Sequence, residues 1–168
     1  SFPQLIVNYF GLSLVLGWSL LILVSLVLFG VYFGVFALWL SWCSQRKILS
    51  PWLVAAGWCA CEFARANVWV GNPLALAGYS QVSFPRMIQI ADFSGPYGIG
   101  LLIAAVNAGL AGWLVPKLRG QHWRLSGIGI AGALALTPVY GTWRLSQTFT
   151  SGELIQVAII QGAIPCEL

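Results

Sequence analysis

The 168-residue chain is 59% hydrophobic and only 7% charged, with a mean hydropathy of +0.85. Soluble globular domains carry about 25% charged residues, so this composition excludes that class and points to a membrane protein. The net charge of +4 comes from eight basic residues scattered among long apolar runs; they make no continuous basic face, which excludes nucleic-acid binding and leaves them to orient helices in a membrane.

Residues 5–42 contain no charge. About 20 residues cross the hydrocarbon core, and no turn divides this run in two, so it predicts one long or tilted helix at 12–42 behind an apolar lead-in. Gly30 and Gly34 make a GxxxG step within it, expected to mark a close helix approach. Arg46 and Lys47 end the helix. Pro51, acceptable in a first helical turn, opens a second span at 51–66, with Glu62 and Arg65 near its far end. At that i,i+3 spacing the two are expected to form a structural ion pair or to face protein. The stretch GNPLALAGYSQ at 71–81 then breaks the apolar pattern, and FPRMIQIADFSGPYGIG at 84–100 carries Pro and Gly residues that forbid a continuous helix. Residues 67–96 therefore read as a loop, followed by a third span at 97–115 and a fourth at 123–140.

GIGIAG at 127–132 has the spacing of a dinucleotide fingerprint, with Glu153 about 20 residues beyond it. The fingerprint needs a strand feeding the glycine turn, whereas this one lies inside an apolar span, where small residues let helices pack. Beyond the fourth span, a polar linker leads to LIQVAIIQGAI at 154–164, short and β-branched, read as the first buried strand of a soluble domain. One strand needs neighbours, and the chain, opening on Ser1 and stopping at Leu168, reads as an excerpt of something longer. Cys43, Cys59, Cys61 and Cys166 have no paired CxxC spacing, and His122 is the single histidine, so neither a metal nor a cofactor is expected.

Basic residues orient the helices. Arg46, Lys47, Lys117, Arg119 and Arg124 fall on one side; Arg65, Arg86 and Arg144 fall on the other, diluted by Asp92 and Glu153. The first side is read as cytoplasmic, which turns residues 67–96 outward.

Three segments in order, CEFARANVWVGNPLALAGYSQ, IQIADFSGPYGIG and VAIIQGAIP, resemble the bacterial apolipoprotein N-acyltransferase family. In that family a helix ending in E-x-x-R leads to a G-F-P-W…GYSQ loop, then Q-I-A-D…G-x-Y-G, a helical pair, and a V-x-x-x-Q-G-N-I-P strand opening a nitrilase-like domain. The motifs cover the chain from about Pro51; Asn72, Leu74 and Ala163 depart from them. The resemblance implies an all-α polytopic membrane protein of about four transmembrane helices (domain 1–145), followed at 146–168 by a linker and the opening strand of a truncated α/β nitrilase-like domain. It implies a multi-pass protein of the bacterial inner membrane with the catalytic domain on the periplasmic side. Its partners would be a phospholipid acyl donor, membrane lipid and a diacylated apolipoprotein. A cysteine thiolate takes the acyl chain as a thioester and passes it to the α-amino group of the lipoprotein's diacylglyceryl-cysteine, with a Glu base and a Lys stabilising the oxyanion.

That Glu-Lys-Cys triad is expected beyond Leu168, so this chain alone is expected to be inactive and Cys166 a bystander. The outward loop is expected to frame the lipid access, with Gly78, Tyr79, Gln81 and Arg86 as candidate substrate-binding residues and Glu62, Arg65, Pro73 and Gly95 in structural roles. Arg86, between Phe84-Pro85 and Met87-Ile88, carries its guanidinium on an apolar flank suited to the headgroup layer, where it pairs with a phospholipid phosphate, pairs with Asp92, or snorkels. A catalytically silent membrane scaffold is the competing class; a transporter fits less well, because no ionisable residue occupies the middle of a span.

The orientation has a direct test. In a background without native cysteines, a cysteine at Ser83 is expected to react with an impermeant maleimide in intact spheroplasts while one at Ser44 does not; the reverse pattern inverts the topology.

Overall fold

In hydrocarbon a backbone must satisfy its own hydrogen bonds, so long uncharged runs become helices. The structure, a computed structural model, describes residues 8–9, 11, 13–68, 71–115 and 123–147, and these are helical with no strand among them. Helix α1 (Leu14–Gln45) has 32 residues. Ser13 caps it by accepting from the Leu16 amide, and a π-helical turn interrupts it at Leu26–Gly30. It stops at Arg46 and Lys47, the latter at φ +57°. Helix α2 (Pro51–Asn67) starts from Ser50, whose Oγ accepts from the Leu53 amide at 3.2 Å, with Pro51 in the first turn. A 3-10 turn (Ala77–Gln81) and the one-turn helix α3 (Pro85–Ile88) follow, then α4 (Ala91–Leu114) and α5 (Trp123–Leu145).

Three of these helices, α1, α4 and α5, are long and apolar enough to cross a membrane, against the four spans read from hydropathy. The remaining element, α2, is a helix of 17 residues, which at 1.5 Å per residue is about 25 Å long and shorter than the hydrocarbon core. Its last two turns carry Glu62, Arg65 and Asn67. The strand expected at 154–164, Glu153, Cys166 and Glu167 lie outside the described residues, as do Lys117, Arg119 and His122.

The centre of the fold is the meeting of α2, α4 and α5. Ala55 and Ala105 are wholly buried there beside Ile130, with Trp52, Leu101, Ala104 and Val106 around them; small side chains let the helix axes approach where no hydrophobic drive separates protein from lipid. Helix α1 joins through aromatic rings. Trp39 lies over Gly57 so closely that a Cβ there would meet the indole, and Phe33 and Phe36 pack on Trp58 at 5.4 and 5.5 Å.

The GxxxG reading of α1 is corrected. A Cβ at Gly34 would meet nothing within 4 Å, and one at Gly30 only Leu26 of the same helix; the spacing offered a groove that no described helix fills. Of the glycines in GIGIAG only Gly129 faces a neighbour, the Trp52 ring, and the whole motif lies within helix α5. That placement removes the dinucleotide reading, since no amide there is free to hold a phosphate.

Gly141 is where the fold tolerates least. A Cβ there would lie 1.8 Å from the Arg86 carbonyl oxygen, so α3 rests backbone-on-glycine against α5. Gly141→Ala is expected to destabilise the full-length protein by about 1–3 kcal/mol, the usual range for overpacking. Gly132→Ala, made into open space, should be neutral or better. Thermal denaturation of both variants in detergent checks the contrast; equal midpoints would remove the tight docking of α3.

Candidate functional site

Helix α2 ends in backbone groups that need partners, and the loop after it has the same need. Gly71, at φ +63°, turns the chain back, and the Asn72 amide donates to the Arg65 carbonyl at 2.8 Å. Arg65 is 3% exposed. Its Nη1 donates to the carbonyls of Asn72 (2.8 Å) and Leu74 (2.6 Å), and Nη2 to that of Ala75 (3.5 Å). Ala75 sits at φ +55°, a conformation uncommon for a residue with a Cβ, so the guanidinium fork holds a bend the chain would otherwise avoid. The Phe29 ring of α1 covers the guanidinium at 5.0 Å.

Glu62, 4% exposed, faces the next part of the loop. Its Oε1 accepts from the Ala77 amide at 2.7 Å, while Oε2 is buried with no partner among the described residues. Oε2 lies 2.9 Å from where a Gly100 Cβ would stand, and a Cβ at Gly78 would be 2.3 Å from the Pro96 carbonyl. The GYSQ turn is therefore pressed onto the start of the second part of α4, with glycines at both contact points. Gly95, at φ +57° and ψ −160°, is the non-helical kink in α4 that begins this part with Pro96.

The expected ion pair between Glu62 and Arg65 is corrected by this geometry. The two side chains share a face of α2, but each is spent on loop backbone, and no salt bridge joins them. The acid that is paired lies elsewhere: Arg144 Nε donates to Asp92 Oδ2, and the Tyr140 hydroxyl donates to the same oxygen at 3.2 Å. This cluster ties the end of α5 to the beginning of α4, and it takes the partner that Arg86 was offered. Arg86 does not pair with Asp92; it is exposed on α3, and its guanidinium has no partner among the described residues.

Of the remaining candidates, Gly78 is buried, while Tyr79 is 51% exposed and Pro73 is exposed. Gln81 donates to Ser80 Oγ at 3.0 Å and borders a cleft of about 190 Å³ with Met87, Ile90, Ile99 and Asn107. Gln81 and Arg86 thus lie in successive turns beside the α4–α5 pair, at the end where Asp92 meets Arg144, whereas Glu62 and Arg65 are buried against the loop. Asn72, which departs from the family motif, accepts from the Leu74 amide through its own Oδ1 at 3.1 Å, and the Leu74 side chain is 68% exposed. The clamp grips carbonyls at both positions, so its hold does not depend on which side chains stand there. Residues missed from sequence were Gly100, Asp92 with Arg144 and Tyr140, and Phe29; a glycine within an apolar helix was the available signal for the first. Among the described residues, no group of His, Cys, Asp and Glu is placed to hold a metal ion. Of the described thiols, Cys59 donates to the Tyr97 carbonyl and Cys43 is 1% exposed.

Comparison with known proteins bears on the clamp and the loop together. The model of the apolipoprotein N-acyltransferase N-terminal domain matches residues 4–109. The chain belongs to the apolipoprotein N-acyltransferase family. The match reaches well before Pro51, where the recognisable motifs begin. Proteins named apolipoprotein N-acyltransferase from Shewanella oneidensis (31% identical over 159 residues, 92% of this chain and 29% of the relative) and Nitrosomonas europaea (28% over 150 residues, 86% and 29%) are similar to it. So is one from Chromobacterium violaceum, 35% identical over 135 residues, 76% of this chain and 25% of the relative. The chain therefore spans less than a third of the length of these relatives. No solved structure matches it.

The clamp predicts an order of severity. Arg65→Ala leaves three carbonyls without their donor, at about 1–3 kcal/mol for each that stays dry. Arg65→Lys replaces a planar fork by a point charge and should lie between it and Glu62→Gln, which keeps an acceptor for Ala77. Melting in detergent and the rate of proteolysis within 71–81 are expected to follow that order. Wild-type values for Arg65→Ala would dissolve the clamp.

Proposed function

We propose that the protein carrying this chain transfers an acyl chain from a phospholipid to the N-terminal amino group of a diacylated lipoprotein at the outer face of a bacterial inner membrane, and that this chain supplies part of its membrane domain. The family match over residues 4–109 carries the reading. In it α2 spans together with α1, α4 and α5, and the loop faces the periplasm. The nucleophile, base and oxyanion donor belong to a nitrilase-like domain, in the part of such a protein that this chain does not contain. The observed thiols support that division: the Tyr97 carbonyl is the one hydrogen-bond acceptor any of Cys43, Cys59 and Cys61 finds among the described residues, so none is hydrogen-bonded to a base there.

What this chain contributes is position. The buried Glu62 and Arg65 hold the loop's carbonyls and the Ala77 amide inward, which leaves Tyr79, Gln81 and Arg86 on the outward surface beside the apolar cleft. An apolar cleft bordered by Gln81 and by Met87, next to Arg86 in the chain, suits an amphiphile whose phosphate stays at the headgroup level. Lipid binding there confines the donor ester to the membrane face on which the thiolate works, and converts a search through the bilayer into an oriented encounter.

In proteoliposomes, the full-length protein is expected to N-acylate a diacylglyceryl-cysteine peptide, read by mass spectrometry, while Arg86→Gln raises the apparent KM for phospholipid several-fold with kcat little changed. A headgroup contact is made equally in ground and transition states, so its loss appears in KM. Absence of acylation by the wild type overturns the activity; an unchanged KM for the variant removes Arg86 from lipid binding and leaves the activity standing.

A further inference from the structure

The α4–α5 pair is closed at its outward end by Asp92, Arg144 and Tyr140 and by the docking of α3 on Gly141. At its other end Val106, Leu110 and Trp113 of α4 and Trp123, Arg124 and Leu134 of α5 line a cleft of about 500 Å³, a size that falls within the usual range for small-molecule sites. Trp123 is seated on Gly112, where a side chain would collide with the indole. The cleft near Gln81 is also lined by Val106 and Leu134, so the two clefts adjoin at these side chains.

Arg124 stands at the mouth, exposed, and its guanidinium has no partner among the described residues. Two indoles and a guanidinium at the same helix ends make the composition of a headgroup layer, with an apolar slot leading into the bilayer. An apolar slot alone would suit a neighbouring helix equally well. The cationic mouth selects against that occupant, because a guanidinium covered by an apolar helix flank would be buried unpaired. No acidic residue occurs in the sequence between Asp92 and Glu153, while Lys117 and Arg119 lie in the connection between α4 and α5. The local charge balance therefore favours a headgroup of net negative charge over a zwitterion.

We propose that this cleft is a binding site for one anionic phospholipid of the leaflet opposite the outward loop, with its phosphate on Arg124 and one acyl chain laid between α4 and α5 along Val106 and Leu134. The site is separate from the acyl-donor site proposed beside Arg86, at the other end of the same helices. Its role is to fasten the open end of the pair as the Asp92 cluster fastens the closed end.

Native mass spectrometry of the full-length protein tests it, with phosphatidylglycerol and phosphatidylethanolamine of identical chains as probes. The wild type is expected to retain one phosphatidylglycerol in preference to phosphatidylethanolamine. Arg124→Gln should lower that retention about five- to tenfold, the effect of one interfacial basic residue, and Arg124→Lys should keep most of it. Gly127→Leu adds bulk to the cleft at a place where a Cβ meets nothing within 4 Å, and should also lower retention while leaving Arg124 in place. Phosphatidylglycerol with a diazirine in its acyl chain is expected to crosslink within 106–134. Equal retention of the two lipids, wild-type retention by Arg124→Gln, or crosslinks confined to other helices of the protein would each overturn the proposal. If Arg124→Gln does not fold, the lipid preference, Gly127→Leu and the crosslinks decide.

Discussion

The fold depends on burying an acid and a base at the end of helix α2 without pairing them with each other. A charged group in hydrocarbon costs several kcal/mol unless polar atoms replace its water, and a loop at membrane depth has the same difficulty with its carbonyls and amides. Here each solves the other's problem. Arg65 is a donor with a planar fork, and the bend at 72–75 turns three carbonyls toward it; Glu62 is an acceptor, and the next segment offers it the Ala77 amide. Had the two side chains paired, both would have been satisfied and the loop backbone would have been orphaned. Hydrogen bonds to ionisable groups are worth more than neutral ones, which is why the arrangement holds Ala75 in a left-handed conformation.

From that junction the neighbouring elements follow. Once the amide of Ala77 is drawn to Glu62, the GYSQ turn lies against α4, and the contact is close enough to require Gly78 on one side and Gly100 on the other. The kink at Gly95 lets the residues before it swing toward α5, where Asp92 meets Arg144 and Tyr140. Polar atoms thus link α2, the loop, α4 and α5 at one end in one chain of contacts. Deeper in, the same helices meet through Ala55, Ala105 and Ile130, which contribute packing but no direction.

Hydropathy made the long helices legible because lipid-facing residues must be apolar whatever they pack against: the run without charge became α1, and Gly95-Pro96 marked the break in α4. Their ends were less legible. Helix α5 continues past Pro138 to Leu145, since its last turns are held by the Arg144–Asp92 pair across 52 positions of sequence, which no local pattern reports. The spacing of Glu62 and Arg65 correctly put them on one face, but spacing says nothing of competing partners seven to fifteen residues away. Gly30 and Gly34 failed for the opposite reason: a groove is visible in sequence, and the helix that would fill it is not. The loop motif was read from its side chains, whereas the clamp works through its backbone. That is how Asn72 and Leu74 could depart from the family pattern while the carbonyls at both positions stay bound.

The two ends of the α4–α5 pair now stand in contrast, and the contrast has a physical basis. Polar contacts fix geometry because they are directional, so the end that carries Asp92 and Arg144 is held by hydrogen bonds and glycine-seated backbone. The other end has Trp123 against Gly112 and a largely apolar cleft beside Arg124, whose guanidinium has no partner among the described residues. Apolar contacts between helices in lipid gain little over contacts with the lipid itself, so that end relies on whatever amphiphile or neighbour fills the cleft. Directional bonds thus fix the end that carries Asp92 and Arg144, where α3 docks on Gly141.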